Sequence, residues 1–276
     1  MDFEQIEIGK LPLDLLENIA RDISDYTVAL IALGFKKDDL VEHHIGSGSL
    51  IRVGEKHCIL TAHHCIDSHA FKDCIRLGLA IKSHPHHFSI IKDHLKIIDV
   101  GKPNNNDICP DIGICVLPKT ELGWLLANKS FWDIEKYKEV IFDISSDINI
   151  GVYAISGCPD VYTINGGSNR GFHKSKGFQN TIGFCGVGKH WEKDEYDYYL
   201  CKASYDAFSN SPKSFKGMSG GGLWHIPLKK EDNGSITYKR PYLSGLSFFE
   251  YPIVNIERDI LCHGPKSIYE RVYSIL

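Results

Sequence analysis

The stretch "ILTAHHCID", residues 59–67, decides how the rest of the chain is read. A short run of branched and apolar residues ends in two histidines and a cysteine. Such runs, bounded by charged residues like Glu55 and Lys56, form strands. His64 then stands where a strand runs out into a loop, a position from which a side chain reaches a cleft. Three uses are open to this group: a catalytic base, a metal site shared with His63 and Cys65, or ordinary strand-end residues.

Working outward, the same texture repeats. Upstream lie "YTVALIALGF" and "GSGSLIRV"; downstream lie "CIRLGLAI", "FSIIKDHLKIIDV" and "DIGICVLP". Gly, Asp, Asn, Pro or charged clusters separate them. Residues 119–137 interrupt the series as a connection with some helical character. Strands resume with "IGVYAISGCP", "NTIGFCGV", "YDYYLCKASY", "GGLWHIP" and "SITYKRPYLSGLSFFEY", and the turn signal "EDNGS" falls at 231–235. Short strands at regular spacing predict an all-β protein of antiparallel barrels or sandwiches. The segments are a leader over 1–25, a strand-rich half over 26–118, the connection over 119–137, a second half over 138–256 and a helical tail over 257–276. In the leader, Leu13, Leu15, Leu16, Ile19 and Ile23 recur at helical spacing. Ile268, Val272 and Ile275 do so in the tail.

Composition narrows the function classes. The chain has 276 residues, 43% hydrophobic and 24% charged, with a formal net charge of -4. That suits a soluble globular protein with a large core. No basic excess exists to neutralise a phosphate backbone, so no nucleic-acid partner is expected. The acidic, interrupted start does not read as a secretory signal. "TVALIALGF", the longest apolar run, is too short for a bilayer, so no membrane role is expected and the cytoplasm is the expected location. Nine cysteines, an odd number, read as free thiols rather than a disulfide framework.

Two more segments carry chemistry. In "FKGMSGGGLW", residues 215–224, Ser219 lies among glycines. Glycines permit a tight turn, expose the hydroxyl and let backbone N–H groups face a substrate oxygen. A serine hydroxyl is a weak nucleophile until a base accepts its proton, and His64 is the candidate base. The base needs an orienting carboxylate. Asp111, directly before the apolar run "IGICVL", is preferred to Asp107 because that run ties it to a fixed frame.

Together these stretches resemble the trypsin/chymotrypsin-like serine protease family. "LTAHHC" resembles the family's Thr-Ala-Ala-His-Cys segment, "DIGICVL" its Asp-Ile-Ala-Leu-Leu segment and "GMSGGG" its Gly-Asp-Ser-Gly-Gly-Pro segment. "GSGSLI" resembles the strand before the histidine, and "VYAISGCP" the opening strand of the second barrel. The resemblance covers roughly residues 25–255. It implies two six-stranded antiparallel β-barrels with short helical segments at the N- and C-terminal ends and catalysis between the barrels. It implies a serine endopeptidase that needs no cofactor or metal, with His64 as base, Asp111 as orienter, Ser219 as nucleophile, and the amides of Gly217 and Ser219 as oxyanion hole. Lys213, Ser247 and Phe248 would line the substrate cleft. The partners implied are a protein or peptide substrate and, for control, a regulatory protein.

The departures are informative. Met218 occupies the position whose aspartate, in digestive members, pairs with a new N-terminus, so the loop must be ordered by its own packing or by a partner. The usual disulfide partner of Cys65 falls at Gly46. Rival readings remain. One is a metal-binding β protein using His63, His64, Cys65 and Cys58 with His84, His86, His87 and His94. Another is a protease-like binding module without activity. A third is an esterase on the same scaffold.

Overall fold

In the computed structural model, the described residues are 11–36, 39–80, 88–103, 110–145, 151–165, 176–178, 180–204, 214–254 and 257–276. The amphipathic leader forms α1 (Leu13–Ser24), with Leu15, Ile19 and Ile23 buried. Burying each such side chain stabilises by about 1.5–3 kcal/mol. The first half comprises β1 (Thr27–Lys36), β2 (Asp39–Val53), β3 (Lys56–Thr61), α2 (His63–Asp67), α3 (His69–Asp73), β4 (Arg76–Ala80), β5 (Phe88–Ile91), β6 (Lys96–Gly101) and β7 (Ile112–Val116). The connection holds α4 (Gly123–Asn128), β8 (Trp132–Asp133) and the start of α5 (Ile134–Ser145), a helix that runs past the expected boundary at residue 137.

The second half comprises β9 (Val152–Gly157), β10 (Thr163–Asn165), β11 (Lys176–Phe178), β12 (Thr181–Lys193), β13 (Tyr196–Ser204), β14 (Gly222–Ile226), β15 (Leu228–Lys230), β16 (Ile236–Tyr238), β17 (Tyr242–Glu250) and β18 (Glu257–His263). A helical tail, Ser267–Val272 and Tyr273–Ile275, closes the chain. No described helix is long and apolar enough to cross a membrane.

The fold is all-β, as expected. The second half is a closed barrel in the order β12-β13-β18-β17-β14-β9. The first half follows the path β5-β4-β1-β2-β3-β7-β6, with β8 added in parallel on β2. That path of seven strands does not close among the described residues, and it already exceeds the six implied before β8 joins the edge of β2. Glu257–His263, assigned from sequence to the tail, is a barrel strand between β13 and β17. Its short apolar run, Ile260–Cys262, is buried in the barrel, and only the chain beyond it is helical.

Burial follows the two-residue period of a strand. Along β1, Val28, Leu30 and Ala32 enter one apolar cluster, while Ala29, Ile31 and Leu33 enter another that includes Cys158 of the second half. The largest cluster joins Leu60 and Ile112 of the first half to Tyr198, Trp224 and Leu246 of the second. The two halves therefore share one core. Behind it, Tyr269 OH accepts from Trp132 Nε1 at 2.7 Å and donates to Leu243 O at 2.7 Å, tying the tail to the connection and to the second half.

Candidate active site

Strand register brings His64 and Asp111 together. β3 pairs antiparallel with β7, and the ladder ends at Thr61 opposite Gly113. The chain leaves β3 into α2 just where it enters β7, so the two residues emerge side by side. The His64 backbone N–H donates to Asp111 Oδ1 at 2.9 Å, and its Nδ1–H donates to Oδ2 at 2.6 Å. A carboxylate only accepts, so this grip fixes the ring proton on Nδ1 and leaves Nε2 for the cleft. Burial opposes a charged ring. The Asp111 hydrogen bond more than offsets it, with Cys65 adding to the effect, and His64 is pushed up to about 10. The side chain is 45% exposed, so solvent screens this attraction; its direction, a stabilised imidazolium, follows from the Asp111 contact.

Ser219 lies on a turn made by flanking glycines. Gly217 and Gly220 have φ of 92° and 90°, a region costly for other residues. The carbonyls of this loop are held from behind. Met218 N–H donates to Phe215 O at 2.8 Å, Asp160 N–H to Lys216 O at 2.8 Å, Gly221 N–H to Met218 O at 2.9 Å, and Ser47 N–H to Ser219 O at 2.8 Å. Ser47 Oγ donates to Gly217 O at 2.7 Å and accepts from Cys158 N–H at 2.8 Å. Among the described residues, the amides of Gly217 and Ser219 have no hydrogen-bond partner. Two adjacent donors without partners, beside a hydroxyl, can stabilise a developing oxyanion. Met218, 1% exposed, packs into the barrel wall with Phe215, Tyr153 and Ile155. Hydrophobic burial of this side chain holds the turn.

His64, Asp111, Gly217 and Ser219 all line one cleft of about 490 Å³. The Ser219 hydroxyl points to Phe248 O, 3.5 Å away. Phe248 and Ser247, the expected substrate contacts, also line the cleft. The Ser247 hydroxyl is turned to Met218 O and Gly221 O, 3.2 Å each, so it braces the nucleophile turn. Beyond the Gly220 N–H to Ser247 O bond, β14 no longer covers β17, and Phe248, Phe249 and Glu250 form a cleft wall. Lys213, the other expected contact, and the alternative carboxylate Asp107 lie outside the described residues. Cys65 is a free thiol, its S–H directed at Ser219 O, 3.5 Å away.

Sequence reasoning missed a second histidine–aspartate pair on the cleft. β2 bulges opposite Leu30 and Ile31, passing from Gly46 to His44, and such a bulge re-aims side chains. His44 Nδ1 bonds the Asp160 carboxylate. Burial opposes ionisation of Asp160, yet His44 and Lys216, the latter at 3.3 Å, hold it below the usual carboxylate range. A side chain at Gly217 would come within 2.6 Å of His44 Cε1 and 2.7 Å of Asp160 Oδ1, so the pair packs directly against the turn. "EHHIGSGS" and "GCPD" contain these residues, but only the bulge and the meeting of the two halves join them. Among the described residues, no three His, Cys, Asp or Glu side chains gather as a metal site. His84, His86 and His87 lie outside those residues.

No protein-family model matches the sequence. No curated protein matches it in sequence. Among solved structures, the chain is similar to the tobacco vein mottling virus protease, with 10% identity, a TM-score of 0.41, and coverage of 87% of this chain and 78% of that one. Likeness at that level decides nothing about chemistry.

Proposed function

We propose that the protein is a serine endopeptidase. The observation that supports this reading is the sharing of one cleft by a carboxylate-gripped histidine and a glycine-framed serine with two unpartnered amides beside it. An extended peptide lies along the open β17 wall at Phe248–Glu250, and backbone pairing supplies affinity. The Ser219 hydroxyl leaves Phe248 O and turns to His64 Nε2. His64 removes its proton as Oγ attacks the peptide carbonyl. Asp111 holds the ring tautomer and stabilises the imidazolium, and the amides of Gly217 and Ser219 take the oxyanion. His64 then gives its proton to the departing amine, and water releases the acyl group by the same route. No metal or cofactor enters these steps. The buried free thiols fit a reducing compartment such as the cytoplasm.

A second reading is favoured by one observation, the Ser219 hydroxyl resting on Phe248 O. It is a peptide-binding module that uses the same cleft without cleavage. A fluorophosphonate probe separates the two. Labelling at Ser219 that disappears in Ser219→Ala supports the enzyme, and the same substitution lowers turnover of a cleaved peptide by about 10⁴-fold or more. A folded wild-type protein that takes no label, across a pH series, removes the endopeptidase reading.

A further inference from the structure

Asp111 is held from behind as well as in front. Its backbone N–H donates to Nε2 of His263 at 3.1 Å. His263 ends β18 and is wholly buried. Phe248 stacks on the ring at 4.5 Å, and Tyr198 and Tyr196 lie against it at 5.1 and 5.8 Å. Because Nε2 accepts, the neutral ring carries its proton on Nδ1. That nitrogen faces Ser267 Oγ, 3.4 Å away. The Ser267 hydroxyl donates to Asp197 Oδ1 at 2.7 Å and accepts from the Asp197 N–H at 3.0 Å. Its single proton is committed, so towards His263 it can only accept. The Asp197 carboxylate also takes the amides of Ser267 and Lys266, at 2.8 and 3.1 Å. A chain of hydrogen bonds thus runs from Asp197 through Ser267 and His263 to the backbone of Asp111, and on through its carboxylate to His64.

We propose that His263 is a positioning residue for the Asp111–His64 pair, a tautomer-locked neutral imidazole that takes the Asp111 N–H and so sets the direction of its carboxylate. The proposal rests on the endopeptidase reading for its catalytic meaning. Ser247, on the adjoining strand, cannot serve instead, because its hydroxyl is turned to Met218 O and Gly221 O. A protonated ring would present a donor to the Asp111 N–H and a positive charge behind the carboxylate that His64 requires. Burial opposes that state: it pushes His263 down to about 3, against the upward pull of the Asp111 charge and of the Asp197 backbone. The groups facing the pair are thus Asp111 and the Asp197 backbone around His263, with the Asp197 carboxylate one step further on Ser267 Oγ, and Asp111 with the Cys65 thiol around His64.

The test uses the full chain with His263→Phe, His263→Gln and Ser267→Ala. Two readings are taken: proton binding by the His64 ring, followed by NMR and assigned by its loss in His64→Gln, and the rate of fluorophosphonate labelling against pH. Phenylalanine keeps the stack but removes the acceptor. It should weaken proton binding at His64 about tenfold, because Asp111 no longer meets the ring squarely. Labelling at its plateau should fall by about 10²-fold. Glutamine, whose carbonyl oxygen can take the N–H, should stay close to wild type in both readings. Ser267→Ala removes the hydroxyl facing Nδ1 and loosens the tautomer, and it should move both readings in the same direction as phenylalanine, by less. A folded His263→Phe protein with unchanged His64 proton binding overturns the proposal. If that variant does not fold, Ser267→Ala decides: unchanged values in both readings overturn it. Wild-type protein that takes no label removes the endopeptidase reading, while the His64 titration still decides the positioning role.

Discussion

At the scale of single residues, the central prediction concerns Asp111. Replacing it by asparagine keeps the shape but turns a pure acceptor into a group that can donate to the ring. The tautomer then reverses, Nε2 carries the proton, and labelling of Ser219 should fall by about 10⁴-fold with little loss of folding. Measured against pH, wild-type labelling should rise as pH climbs through the raised titration of His64, since only the neutral ring accepts the serine proton. In Asp111→Ala the midpoint should drop towards the ordinary histidine value, because the group that raised it is gone. These residues were legible because each has a local signature: His64 ends an apolar run, Asp111 begins one, and Ser219 has a frame of glycines. His263 has such a signature too, in "DILCHGP", but its strand was assigned to the tail and so its partner was invisible. Ser47, His44 and Asp160 matter only through contacts between distant segments, and no local pattern marks such contacts.

At the scale of elements, the turn carrying Ser219 is a scaffold supported from both halves. Ser47 is its bridge, reaching Gly217 O and the Cys158 N–H with one hydroxyl. In Ser47→Ala both groups lose that partner, and leaving a buried donor unpaired costs about 1–3 kcal/mol. Thermal unfolding should report that loss. Labelling should drop by about 10²-fold or more if the Gly217 amide turns away, the scale seen when one oxyanion donor is removed. The helix α1 offers the contrast. Ile19 and Ile23 are fully buried but far in role from the cleft. Ile19→Ala should cost about 2–5 kcal/mol of stability while labelling of the protein that remains folded is unchanged. The helix, the hairpin of β15 and β16 at "EDNGS", and most strands could be read from periodicity and turn chemistry. The bulge in β2 and the added β8 could not, since both arise from how a long strand shares its edges.

At the scale of the whole molecule, one core spans both halves, so acid should act on the whole chain at once. His263 binds a proton poorly in the folded protein and normally once unfolded. Its contribution is fully present above the ordinary histidine value near 6.5 and is lost as pH falls from there towards about 3, because the unfolded state gains the proton first. Chemical denaturation at pH 7 and pH 4 should show this slope, and His263→Phe should flatten it. Met218 has a different consequence. Packed against Phe215, Tyr153 and Ile155, its thioether side chain wedges the Ser219 loop in place as the barrel closes. On the endopeptidase reading, ordering of this loop is complete once the barrel has folded.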